Sequence, residues 1–177
     1  MLFKDLLGLP YDRRSGLVCL EAVCRELPNI PIDVVEQLLV DHGRKADHQH
    51  FYGHIDLASI VWNQIEASAS ALSAASVLPD FEGWTSNVAS RAPEIRRAGW
   101  VAADARPEVR EHWQREGTWM RAPIFLAGEI AKWGANLHLA EGHTRLGLLR
   151  GLLRENMLPA AGKHQAWIGT VSGGLAF

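Results

Sequence analysis

The hydrophobic period of the chain changes at one residue, Gly142. Before it, "LHLAE" (137–141) is a short run of apolar and β-favouring residues; after it, "HTRLGLLRGLLREN" (143–156) carries leucines at 146, 148, 149, 152 and 153, the stripe of an amphipathic helix. A strand therefore runs into a helix through a glycine. "APIFLAG" (122–128) precedes it as a second strand, with Gly128 and Gly134 in the connecting loop, and "HQAWIGTVSG" (164–173) follows as a third. These elements define an α/β fold with a small mixed sheet.

The junction reads Glu141-Gly142-His143-Thr144-Arg145. The first turn of a helix presents unpaired N–H groups and the positive end of the helix dipole, which together attract anions. Gly142 lets the backbone turn and approach a phosphate, Thr144 offers a hydroxyl, and Arg145 can fork onto phosphate oxygens. Glu141 is placed to organise a water or a phosphate-bound metal, or to orient Arg145; His143 is a candidate acid or base near neutral pH. Taken alone, the same five residues also fit a polar turn that merely caps a helix.

"LHLAEGHTRLGLLRGLL" resembles the strand, Gly-x-x-Arg turn and helix of the ParB/sulfiredoxin superfamily, with Gly142 and Arg145 at the two defining positions. "TWMRAPIFL" resembles the strand before that element, so the likeness spans about residues 117–171 and leaves the first half uncovered. The cysteine that sulfiredoxins place beside this glycine is absent, since position 143 is histidine. Partition proteins carry a second arginine motif and a following helix-turn-helix, and neither follows "RENML".

Size and layout look similar to the plasmid fertility-inhibition proteins of the superfamily, the oncogenic-suppression type. The resemblance implies a nucleotide- and DNA-phosphate-binding protein with ATPase and DNase activity. It implies ATP and Mg²⁺ as cofactors and Glu141 as the metal-binding residue. Glu141, His143 and Arg145 would be the catalytic group, and Gly142, Thr144 and Arg145 the phosphate ligands. Expected partners are a nucleotide, DNA and a DNA-transfer (conjugation) protein. One fold supports many chemistries, so a non-catalytic inhibitor using the same turn to bind a partner is the alternative. Arg150 and Arg154, four apart on the motif helix, are candidates to extend a phosphate track for DNA, or else a solvated face.

The first half reads as helical. "SGLVCLEAVCRELP" (15–28) predicts a helix capped by Ser15 and stopped by Pro28, and "IPIDVVEQLLVDHG" (30–43) a second with Pro31 in its first turn and Gly43 after it. "RKADHQHFYGH" (44–54) reads as a loop, "IDLASIVWNQIEASASALSAAS" (55–76) as a long helix, and 79–106 as aperiodic short turns. "PEVREHWQREGTW" (107–119) predicts a helix ended by Gly117. The expected layout is one domain over 1–177: a mainly helical part, 1–106, layered on a strand–turn–helix part, 107–177.

Charge divides along the chain: residues 1–90 hold 6 basic and 12 acidic side chains, and 91–177 hold 12 and 8. The basic half raises the prospect of phosphate partners only modestly. Cys19 and Cys24 sit in an apolar helical pattern that argues for packing rather than a disulfide or thiolate metal site. No run approaches the roughly 18 apolar residues of a membrane span, so a cytoplasmic location and no membrane partner are expected. His42, His48, His50 and His54 with Asp41, Asp47 and Asp56 are dense enough for a zinc site, although histidines in a loop are ordinarily solvated. Among seven tryptophans, Trp119 and Trp133 flank predicted loops and are the better surface candidates for stacking on bases.

Overall fold

The computed structural model describes residues 1–132 and 137–171; Trp133, Gly134 and the last residues of "HQAWIGTVSG" lie outside the described residues. A 3-10 helix at Phe3–Gly8 leads to α1 (Leu20–Glu26) and α2 (Ile32–Val34), which runs directly into a π-helical turn over Val35–Val40. Then come α3 (Ala46–Tyr52), β1 (Ile60–Ser68), α4 (Ala69–Ser73), α5 (Pro79–Ala89), α6 (Ala92–Ala98) and α7 (Pro107–Glu116). The order closes with β2 (Ile124–Ala127), α8 (Gly128–Ala131), β3 (Leu137–Glu141), α9 (His143–Arg154) and β4 (Lys163–Val171).

The fold is mixed α/β around a four-stranded sheet of order β1-β4-β2-β3. β4 lies parallel to β2 and antiparallel to β1, and β3 is antiparallel to β2. β2 reads Ile-Phe-Leu-Ala and is buried throughout, as a strand covered on both faces must be. Ile124 and Leu126 pack with Phe3, Val35, Leu38 and Leu39 of the N-terminal elements. Phe125, Leu139 and Ile168 pack with Leu146, Leu149 and Leu152 of α9 and with Val88, Ile95 and Trp113. The sheet thus separates two apolar cores.

Several expectations give way. The helix predicted for 55–76 is mostly β1, which pairs over all nine residues with β4, from Ile60 opposite Val171 to Ser68 opposite Lys163. Its β-branched Ile60, Val61 and Ile65 favour that backbone, and only after Ser68, whose hydroxyl accepts from Ala71 N–H, does the short α4 begin. The first half is therefore not a separate helical layer, because β1 is an edge strand of the sheet.

The segment predicted as a loop forms α3, with His48 and Tyr52 four apart on its buried face. Ser15 does not cap α1: it belongs to a turn whose Asp12 Oδ1 accepts from Arg14 and Ser15 N–H, and the helix starts at Leu20. The aperiodic 79–106 stretch holds two helices opened by Pro79 and Pro93 at first-turn positions, where proline is favoured. The helix ended by left-handed Gly117 and the strands β2, β3 and β4 stand as expected.

α5 and α9 run side by side in the same direction. Thr144 meets Trp84, Gly147 meets Thr85 and Val88, and Gly151 meets Ala89. A methyl group at Gly151 would fall 2.4 Å from the Ala89 carbonyl oxygen, so glycine sets how near the two helices come. Gly151→Ala should gain about 1 kcal/mol of helix propensity and lose more to overpacking, for a net destabilisation of about 1–2 kcal/mol. Urea unfolding measures it, and a stabilised variant would contradict the close helix contact.

Candidate functional site

β3 delivers Glu141 at the end of the sheet, and the chain turns at Gly142 with φ 109°. Glycine is required there twice: by the left-handed backbone, and because a Cβ would lie 2.6 Å from the Pro123 Cβ. α9 then starts at His143 without a side-chain cap, and its first backbone acceptor within the ladder, Gly142 O, takes the N–H of Leu146 at 2.9 Å. The N–H groups of His143, Thr144 and Arg145 precede that bond and belong to the orphan first turn.

These residues line a cavity of about 730 Å³. Two further helix starts reach it: Asp80 and Phe81 in the first turn of α5, and Glu108 and Val109 in that of α7. None of the three helices has a side-chain cap at its N-terminus. α5 and α7 carry acidic residues in their first turns and α9 carries none, so the dipole of α9 is the one left uncompensated. Trp84, half exposed, forms part of the aromatic wall and donates from Nε1 to Thr144 Oγ1 at 3.2 Å.

Arg145 faces the protein rather than the cavity mouth. Its Nη1 donates to Gln37 Oε1 at 2.7 Å, Arg121 O at 2.8 Å and Ala122 O at 3.4 Å, and its Nη2 lies 3.1 Å from Glu141 Oε1. Gln37 in turn donates to Ala122 O and Asp33 Oδ2, and Asp33 also accepts from Trp167 Nε1 and Arg121. Arg121 is held a second time by Glu36. One guanidinium thereby ties the π-helical turn, the 121–123 segment and the β3–α9 junction together. Arg150 donates to the carbonyls of Ser73 and Ala75, and Arg154, exposed at the surface, donates through Nη2 to that of Ala89.

Beneath the turn lies a column of rings. His42 stacks on His48 at 4.3 Å, His48 meets Phe81 edge-on at 5.9 Å, and Phe81 stacks on His143 at 4.1 Å. Tyr52 Oη and Ser76 Oγ each lie 2.8 Å from a ring nitrogen of His138. Burial, reinforced by neighbouring histidines, holds His42 and His143 at a pKa of about 3, and burial lowers that of His138 to about 4. The His48 pKa is lowered as well, first by burial.

His50 and His54 are exposed and take no part, so the sequence cluster divides: two members enter the column and two stay at the surface. Among the described residues no group of three or more His, Cys, Asp or Glu side chains is placed to hold a metal ion. Glu141 is engaged by Arg145, with His42 Nε2 at 4.0 Å, and its environment does not fit the metal-binding role expected of it. Trp119 is buried with its Nε1 donating to Gln165 O, and is not a surface platform. The sequence missed Gln37 and Phe81 and ranked Trp84 behind Trp119 and Trp133 as a stacking surface; the polar Gln37 inside the apolar "VVEQLLV" was an available signal.

No family model matches the chain, and neither a curated protein nor a solved structure matches it. Fold and site define a mixed α/β protein whose strand–glycine–helix turn opens, uncapped, on an aromatic-walled cavity.

Two outcomes follow from this geometry. Arg145→Ala leaves Glu141 and three other acceptors without the guanidinium and should cost about 3–5 kcal/mol in urea unfolding. The histidine pKa values are depressed in the folded state; the unfolded chain therefore binds protons first as pH falls. Stability is full above about pH 6.5 and declines toward pH 5 by about 1.4 kcal/mol per pH unit for each neutral buried histidine. Unfolding free energies at pH 7.5, 6 and 5 test this, and a level profile over that window would refute it.

Proposed function

We propose that the protein binds a nucleotide, with ATP as the ligand expected from its likeness to the ParB/sulfiredoxin superfamily, and that the phosphates sit at the start of α9. The observation that carries this is the convergence of three uncapped helix starts on one cavity, with the start of α9 alone free of acidic side chains. The N–H groups of residues 143–145 and the Thr144 hydroxyl are the phosphate donors. Gly142 supports this role by holding the turn close against Pro123.

Arg145 acts here as a positioning residue, fixing Glu141 and the turn. Trp84 and Phe81 supply the wall for the base. Asp41 lines the same cavity, and its carboxylate has no hydrogen bond or ion pair among the described residues. Desolvation raises its pKa from the ordinary aspartate value, which makes it a better candidate than the engaged Glu141 to accept a proton from an attacking water. ATP hydrolysis is the activity consistent with this arrangement. A DNA-cleaving role has less support, since Arg150 and Arg154 are turned onto backbone carbonyls. A role in plasmid fertility inhibition rests on the resemblance alone.

The full engagement of Arg145 favours a second reading, in which the turn is structural and the protein acts by docking on a DNA-transfer partner without turnover. Calorimetric titration of magnesium ATP separates the two. Binding to the wild type, weakened about 10-fold or more by Thr144→Val or Trp84→Ala, each worth about 1.4 kcal/mol or more, supports a nucleotide site. Heats indistinguishable from dilution in the wild type would leave the docking role standing.

A further inference from the structure

A phosphate site of this kind normally includes a charged donor, and the arginine that the motif provides is already engaged by four acceptors. The remaining side chain at the α9 start able to carry charge is His143, which is 8% exposed and lines the cavity. Among the described residues neither of its ring nitrogens has a hydrogen-bond partner, and Nε2 is fully buried. A buried imidazole with no partner is costly, and at an uncapped helix start beside a cavity it marks a place where a ligand belongs.

Resting on the nucleotide reading above, we propose that His143 is the charged ligand of the site, taking up one proton as the phosphate binds. The site consequently selects a dianionic terminal phosphoryl group over a monoanionic phosphodiester. The added proton comes from solvent and sits on the imidazole; no bond in the ligand is broken.

Magnitudes set this selectivity. The groups around His143 are His42 and Glu141 at the turn, His48 and Asp47 from α3, His138 from β3, and Arg145 on α9 itself; burial and the neighbouring histidines keep its pKa at about 3. At neutral pH the charged form is therefore disfavoured on the order of 10⁴-fold. One negative charge at about 4 Å, with an effective dielectric of about 20, favours an imidazolium on the order of 10³-fold, and a dianion on the order of 10⁶-fold. The terminal phosphate thus favours the charged imidazole on the order of 10³-fold more than the monoanionic diester does.

Adenosine 5′-monophosphate and adenosine 3′,5′-cyclic monophosphate carry the same base and differ in this charge. Their affinities, with ATP as a third ligand, would be measured by calorimetry at pH 7.5 in two buffers of different ionisation enthalpy. We expect the monophosphate to bind at least ten-fold more tightly than the cyclic diester, with close to one proton taken up per site. Its affinity should fall by up to ten-fold per pH unit above pH 7.5, and uptake should vanish in His143→Asn. Should that variant fail to fold, the wild-type pH dependence and proton count decide. Equal affinities, no uptake, or uptake that persists in His143→Asn and disappears in His42→Asn would each overturn the assignment to His143 while nucleotide binding stands. Failure of all three ligands to bind would remove the nucleotide site itself.

Discussion

Arg145 occupies the point on which the local architecture depends. A guanidinium cannot be left unpaired in a buried position, so the chain must bring acceptors to it from distant segments. Glu141 comes from the end of β3, Gln37 from the π-helical turn, and two carbonyls from the 121–122 segment that leads into β2. Meeting those demands fixes where β3 ends, how far α9 is set from Pro123, and where the N-terminal elements dock on the sheet. The N–H groups of the α9 start are left facing the cavity wall as a consequence of that clasp.

The surroundings of the clasp are arranged to be neutral. His42, His48, His138 and His143 are buried in or beside a ring column that includes Phe81 and Tyr52, where a protonated imidazole would be poorly solvated. The arginines at the cavity are likewise balanced: Arg106 by Asp104, Arg121 by Asp33 and Glu36, and Arg145 by Glu141. Little fixed positive side-chain charge remains unpaired at the cavity, and the proposed anion site accordingly relies on backbone dipoles and on a charge induced on His143.

The second half of the chain was largely legible because its periods are clean. The leucines of α9, the all-apolar β2 and the glycine between β3 and α9 each signal through one dominant local constraint. The first half misled where tertiary pairing overrides local pattern. "IVWNQIEAS" carries apolar residues at spacings that a helix tolerates, and its strand state is fixed by nine pairings with β4, almost a hundred residues on. α3 looked like a loop because its histidines are polar by type, yet His48 is buried through stacking that no sequence displays. The motif located the turn but gave no sign of the inward bonding of Arg145, which lines the cavity while reaching partners 23 and 108 residues away.

The central claim, that the uncapped start of α9 holds a phosphate, is tested most directly by following backbone amide resonances during titration with magnesium ATP. The amides of His143, Thr144 and Arg145 should show the largest shifts and saturate together, with those of Arg150 and Arg154 little changed. Saturating shifts confined to another region, with residues 143–145 unmoved, would contradict it.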